Sequence, residues 1–418
     1  MATEKLVRFL ADHLEITRRH LLKVVGAVTL PALCSQSAAE SLGQNPTLKS
    51  ALDELESWLT AQEDFRDVSR GKPKPHSLTE EQRREAGLTR DTWRLQVVTD
   101  PEYPAILGSE LTGESAFTFA DLMTLSQTKA VRFAKVMSCL NIGCPLGNGI
   151  WEGVPLREVI WKTRPVEDLR RIFYYGFHNR DPEQMFRSSL PIGRVLEDYH
   201  GLPPVILCYK LNGQWLTPER GAPVRVVVPE DYGFKSIKWL TKIVLSNRPA
   251  ANDTYAEKNN DVDSPMKTFC ATLQRPDTVK AHTPIPITGW AQCGVAGLKK
   301  VQVWIADASS VRREDDPYWT NAPWQDADLL PFPDSVGGDQ DSDAMLQETI
   351  GFNKQGRPQT WPMLLTRAHW CIVHKGLPPG KYFLRCRTID GKDTAQPMPR
   401  PFRKSGHAKI EQVRFDVV

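Results

Sequence analysis

The sequence predicts an α+β domain followed by an all-β sandwich domain, and three observations carry that reading. The 32 prolines among 418 residues favour loops and short strands, because proline is excluded from helix interiors. Up to about residue 249, apolar runs alternating at period two are interspersed with short capped helical patches. Beyond about residue 275 the texture becomes uniform: short apolar strands separated by turn residues, the pattern of a β-sandwich. The length accommodates roughly two or three domains, each with its own core.

Composition excludes several functional classes. Lys+Arg 53 against Asp+Glu 50 leaves a formal charge of +3, without the clustered basic excess of a nucleic-acid binder. Charged residues at 25% and hydrophobic residues at 40% are ordinary for a globular chain. Eight cysteines in this length do not make a disulfide scaffold. Cys139 and Cys144 lack a second close Cys or His pair, which argues against structural zinc.

Taken in order, residues 1–39 read as a twin-arginine export signal. Thr17-Arg18-Arg19-His20-Leu21-Leu22-Lys23 precedes a modestly apolar run over 24–33, with small residues at Ser35, Ser37, Ala38 and Ala39. The run falls short of the ~20 apolar residues that span a bilayer. The expected location is therefore periplasmic or exported. Residues 40–90 are polar and charged and read as a peripheral extension. Trp93-Arg94-Leu95-Gln96-Val97-Val98 opens the first domain, 91–249, as a strand. Residues 119–125 read as a helix capped by Thr118, and 154–161 as another entered through Pro155. Strands follow at 205–211, broken by the Asn212-Gly213 turn, at 224–228, and at 237–245. Residues 250–274 read as a polar connector. In the second domain, 275–418, strands are expected at 285–290, 301–305, 382–389 and 413–418. A long polar stretch between 307 and 361 reads as a solvated acidic loop. Its Asp339, Asp341 and Asp343 are spaced like a calcium loop, but Ala344 and Ile350 replace the required glycine and glutamate.

Cys139 is the most informative single residue. Residues 131–137 read as a strand, so the cysteine emerges at its end, where a backbone-fixed thiolate can hold a soft metal. Alone, it would more often be a buried filler. A glycine-rich turn and Trp151-Glu152-Gly153-Val154-Pro155-Leu156 follow it. Further on come Asn212-Gly213, then Gly221-Ala222-Pro223-Val224-Arg225-Val226-Val227-Val228-Pro229, then Gly233-Phe234-Lys235-Ser236-Ile237-Lys238-Trp239.

These segments together resemble the sulfite-oxidase family of molybdopterin-dependent oxidoreductases, over roughly residues 93–418. The resemblance implies a sulfite-oxidase-like α+β molybdopterin-binding domain followed by an immunoglobulin-like dimerisation domain, and hence a homodimer. It implies that Cys139 ligates molybdenum and that Arg225, Lys235 and Lys238 serve the pterin. Arg220 stands where the family commonly has histidine, and Ser189 matches a serine beside the cofactor. A phosphate- and dithiolene-bearing cofactor needs fixed cations and backbone donors, which this set supplies. Tyr255 is the nearest match to a tyrosine near the substrate, and Arg180 is a cation for an anionic substrate.

Departures bear on the substrate. Animal-type sulfite oxidases carry an arginine pair just after the cysteine, whereas Ile142, Gly143 and Cys144 stand here. The expected chemistry is two-electron oxygen-atom transfer on a small oxyanion, sulfite included. A reductase acting on an S-oxide or N-oxide with the same cofactor is the enzymatic alternative, and a cofactor-free binding protein retaining the fold is the other. Without a haem-attachment Cys-x-x-Cys-His motif, electrons are expected to pass to an external carrier such as a c-type cytochrome.

Overall fold

The computed structural model describes residues 46–140, 145–178, 186–251, 253–254, 256–258, 262–274, 277–309, 316–337, 342–397 and 409–418. The export signal, Arg180, Tyr255, Asp339 and Asp341 lie outside the described residues. The chain divides into two units, Met1–Glu54 and Leu55–Val418. In the first, Pro46–Asp53 is a helix; the second carries, among the described residues, three sheets of five or more strands. No helix among the described residues is long and apolar enough to cross a membrane.

Two five-stranded sheets build the part nearest the candidate site. One runs, in spatial order, Phe117–Thr118, Arg94–Thr99, Leu240–Ser246, Arg171–Gly176 and Arg187–Pro191. Its central pair, Arg94–Thr99 and Leu240–Ser246, is parallel, so the first and last strands of this region close the sheet side by side. The other runs Gln214–Trp215, Ile206–Leu211, Pro145–Pro155 and Val131–Ser138, with Arg225–Val227 added on Ile206–Leu211. Both bury a shared core that includes Trp93, Leu95, Leu156, Ile172, Leu207, Val226 and Leu245. Helix Phe119–Lys129 begins at Thr118, whose hydroxyl accepts from the Asp121 amide at 3.1 Å while the Asp121 carboxylate accepts from the Thr118 amide at 2.9 Å. That reciprocal box satisfies two orphan donors at the helix start.

Eight strands form the C-terminal sheet, in the order Phe269–Gln274, Ile285–Gln292, Arg367–His374, Gln325–Leu329, Leu298–Asp307, Gly380–Asp390, Glu411–Val417 and Thr278–Val279. It encloses a separate core of Ile287, Val301, Val303, Trp370, Leu384 and Phe415 among others. This is the β-sandwich texture that the sequence predicts.

Several expectations are corrected. The polar connector is shorter than 250–274, because Phe269–Gln274 pairs antiparallel with Ile285–Gln292. The glycine-rich turn after Cys139 is in large part an 11-residue strand, Pro145–Pro155. Lys238 lies on no strand: the chain makes a turn over Gly233–Lys235, Trp239 takes φ +53°, and strand pairing resumes only at Leu240. The extension is not peripheral from residue 55 onward. Trp58 and Phe65 are buried, and Trp58 meets Phe332 and Phe352 at ring-centroid distances of 5.1 and 6.2 Å. Those two phenylalanines come from the stretch expected to be a solvated loop. It contributes the strand Gln325–Leu329, the helix Ser342–Gln347 and the buried Val336 and Leu346. Scattered apolar residues in polar surroundings have no period, so composition hides their long-range packing.

Candidate active site

The strand Val131–Ser138 pairs antiparallel with Pro145–Pro155, with an irregularity between Met137 and Ser138. Cys139 leaves the strand at that point as a half-buried free thiol and borders a cavity of about 270 Å³. The strand is fixed from behind. Its Lys135 is fully buried, and Nζ donates to the carbonyls of Pro229 and Asp231 at 2.7 and 2.8 Å. Burial pushes the Lys135 amine down to about 7, against the pull of Asp231 and Glu230. Burial and the neighbouring Glu230 in turn push the Asp231 carboxyl above its ordinary range.

The Trp-x-Gly pattern has a local cause. The Trp151 indole N–H donates to the Lys135 carbonyl at 3.0 Å, locking the two strands, and its ring receives the Arg225 guanidinium 5.0 Å from the centroid. Gly153 lies so close to the next strand that a Cβ would sit 2.3 Å from the Leu207 carbonyl oxygen. Only glycine permits that approach.

Arg225 opens the strand Arg225–Val227 and is buried. It donates to the carbonyls of Arg220 at 3.0 Å and Ser236 at 2.6 Å, and burial brings its guanidinium down to about 10. Arg220 ends the 3₁₀ turn Pro218–Arg220, also buried, beside the Phe65 ring at 5.7 Å. Gly221 follows at φ +101°, and a Cβ there would meet that of Lys238 at 2.7 Å, so the glycine lets Lys238 close against Arg220. The Lys238 ammonium donates to Ser69 Oγ at 2.7 Å and Asp67 Oδ1 at 3.3 Å. Burial, helped by the charges of Arg225 and Arg220 and opposed by Asp67, takes it down to about 7.

Cys139, Arg220, Arg225 and Lys238 therefore line one cavity, with Arg66, Arg70 and His178 completing its polar wall. Five cationic side chains and no carboxylate stand among the described residues that line it. The Nε atoms of Arg220 and Arg225 are buried without a hydrogen-bond partner. A converging set of desolvated, uncompensated donors is what an anionic ligand with several acceptor oxygens satisfies. The residues present thus fit a phosphate-bearing pterin with a thiolate-bound metal.

Ser189 and Lys235 do not line the cavity. Both are buried behind it in a cluster of their own: Lys235 Nζ donates to the Ser189 carbonyl at 2.7 Å and meets Asp253 Oδ2 at 3.3 Å, while Ser189 Oγ donates to the same oxygen at 3.2 Å. Residues the sequence reading missed are Arg66, Ser69 and Arg70 from the extension, and His178, whose ring burial pushes below its ordinary range and whose Nδ1 meets the Gly176 carbonyl at 3.0 Å. No local motif marks them.

Comparison with known proteins bears on this geometry. The family described as "Oxidoreductase molybdopterin binding domain" matches residues 85–254. Among curated relatives, the nitrate reductase [NADPH] of Pichia angusta is 34% identical over 103 residues, 25% of this chain and 12% of that protein. The mitochondrial sulfite oxidase of Drosophila melanogaster is 28% identical over 117 residues, 28% of this chain and 19% of that protein. The matched stretches thus span less than a fifth of the length of either relative. In fold, the chain is similar to the sulfane dehydrogenase SoxCD from Paracoccus pantotrophus, with a TM-score of 0.58 at 16% identity over 86% of this chain and 82% of that one.

Proposed function

We propose that this chain, which through residues 85–254 belongs to the sulfite-oxidase-like family of molybdopterin enzymes, is an exported oxidoreductase for small anionic substrates. When bound, the molybdenum cofactor supplies a metal that exchanges an oxygen atom and two electrons with a substrate. Everything else is the work of the chain. Cys139 would hold the metal as a thiolate from the end of a strand pinned on two sides. Arg220, Arg225 and Lys238 would hold the anionic groups of the pterin, the two arginines donating through their unpartnered Nε–H groups. Ser189 and Lys235 act through Asp253 to fix the turn that carries Ser236. Tyr255 and Arg180 are the substrate-side candidates, and Arg66 and Arg70 add positive charge at the cavity wall.

One observation carries this reading: the Cys139 thiol and the desolvated cations share one cavity whose described lining holds no carboxylate. The same excess of cations favours an oxyanion, sulfite first, over a neutral S-oxide or N-oxide. The arginines that the sequence lacks after Cys139 have counterparts in Arg66 and Arg70. Electrons pass to an external carrier such as a c-type cytochrome, and the chain pairs as a homodimer through its C-terminal sheet.

The experiment is metal and pterin analysis of protein from a host that makes the cofactor, beside Cys139→Ser, followed by assays of sulfite oxidation and of S-oxide and N-oxide reduction. About one molybdenum and one pterin per chain, with sulfite turnover, is the expected result. Well-folded protein with neither would return the fold to a binding role. Turnover only in the reductive assays would replace the sulfite reading with the reductase one.

A further inference from the structure

Part of the cavity wall is not made by the family domain at all. It is residues 65–70, which lie before the match at 85–254. This segment has an unusual construction. Phe65, at one end, is buried edge-on against Trp151 at a centroid distance of 5.8 Å, and the Arg66 amide donates to the Leu146 carbonyl at 2.8 Å. Beyond the other end, Pro75 is buried and His76 stacks on Trp239 with centroids 6.2 Å apart. Between these anchors, residues 66–71 belong to no helix or strand.

Side chains hold the middle in place. Asp67 accepts from Lys238 at 3.3 Å and from Lys74 at 2.7 Å. The Ser69 amide and hydroxyl both turn to Asp67, and Ser69 Oγ accepts from Lys238 at 2.7 Å. Arg70 lies over the Phe186 ring at 4.7 Å. Burial alone would raise the Asp67 carboxyl, but hydrogen bonds from Lys74 and Ser69 and the charge of Lys238 hold it well below the usual range, so it is an anion at any physiological pH. It is also the carboxylate that answers a cation of the cavity from just outside its lining.

We infer that residues 65–70 are a strap over the cofactor cavity, latched by the Asp67–Lys238 ion pair, and that Asp67 is a positioning residue that keeps an anionic cofactor from leaving. The inference rests on the cofactor reading above. Mechanically, the two anchors leave the strap a short span free to lift, and a span without backbone pairing opens at low cost. The ion pair is partly desolvated, so removing one partner leaves the other charge poorly compensated. With Asp67 in place, Lys238 is aimed along the wall by its contacts to Asp67 and Ser69; without it, both the strap and the lysine lose their fixed position.

The test uses the full-length protein, as Asp67→Asn, Asp67→Glu and wild type, each prepared with and without the pterin cofactor and checked for folding by circular dichroism. Hydrogen exchange is read at residues 66–71, and release of the pterin is followed by its fluorescence after rapid dilution. Asp67→Asn is expected to speed exchange across the strap in the cofactor-free protein, and to release pterin roughly tenfold faster. Asp67→Glu should restore most of both. Should Asp67→Asn misfold, Ser69→Ala, which removes the second contact to Lys238, should move both readouts in the same direction by a smaller factor. Equal exchange and equal release in folded wild type and variant would overturn the latch while leaving the cofactor assignment standing. Absence of pterin from every protein would overturn the cofactor assignment and this inference with it.

Discussion

The Ser138 hydroxyl donates to the side-chain carbonyl of Gln292, joining the residue before Cys139 to a strand of the C-terminal sheet 154 positions further on. Both side chains are fully buried, and the Gln292 amide donates onward to the Lys267 carbonyl at 2.7 Å. The cysteine's backbone is thus steadied by a domain none of whose described residues lines the cavity. Replacing Gln292 with Leu strands the Ser138 hydroxyl in the interior, at a cost of about 1–3 kcal/mol. Urea unfolding should show that loss, and Ser138→Ala with Gln292→Leu should cost less than the two singles added together.

Cys139→Ser keeps the shape of a half-buried side chain but removes the thiol proposed to hold the metal. The variant should fold as the wild type does and lose nearly all of its molybdenum. It should retain part of its pterin, because Arg220, Arg225 and Lys238 remain. Metal content, pterin fluorescence and circular dichroism on the same sample check the three parts.

Lys135 and Lys238 both stand near 7 in the folded protein, against about 10.4 in an unfolded chain. Between those values the unfolded state binds more protons, so stability rises with pH across the window and is lost as pH falls toward 7. The cofactor-free protein should therefore unfold at higher urea at pH 9 than at pH 7, and Lys135→Met should flatten that slope. Binding an anionic cofactor against Lys238 favours its charged form and should flatten the slope as well.

Arg66 and Arg70 line the cavity from its extension side. If they draw in an anionic substrate, Arg66→Ala with Arg70→Ala should raise the KM for sulfite roughly 3–10-fold with little change in kcat, and the difference should shrink at high salt. Reduction of a neutral S-oxide should be unaffected by the pair.

Replacing Arg18 and Arg19 together with Lys tests the export reading. Accumulation of folded protein inside the cell, seen by fractionation, is the expected outcome.

What was legible in the sequence was what the backbone dictates locally. Gly153 and Gly221 are demanded by close approach of Leu207 and Lys238 and stand within a few residues of Trp151 and Arg225, so these two could be found from the pattern around them. Cys139 was legible as the end of an apolar strand. Asp67, Ser69 and Arg70 were not, because the groups that tie them to the cavity, Lys238 and Phe186, lie more than a hundred residues away and a charged stretch looks the same whether it faces water or a buried lysine. Ser189 and Lys235 show a subtler gap: the motif found them, yet their side chains turn toward Asp253 and away from the cavity. Trp58 and Phe332 were hidden for the same reason as Asp67, each an isolated aromatic residue in a polar run.

That aromatic cluster has a consequence for anyone cutting the gene. Trp58 and Leu59 from one end of the chain, and Val336, Leu346 and Phe352 from the other, pack on Ala134 and Ile150, the underside of the two strands that frame Cys139. Removing Trp58 alone, by Trp58→Ala, should cost ~3–5 kcal/mol. An excised piece limited to residues 85–254 would present that underside to water as a greasy, sticky floor and would be expected to precipitate. The recognisable domain is the keystone of this protein, and like a keystone it stands only between its two abutments.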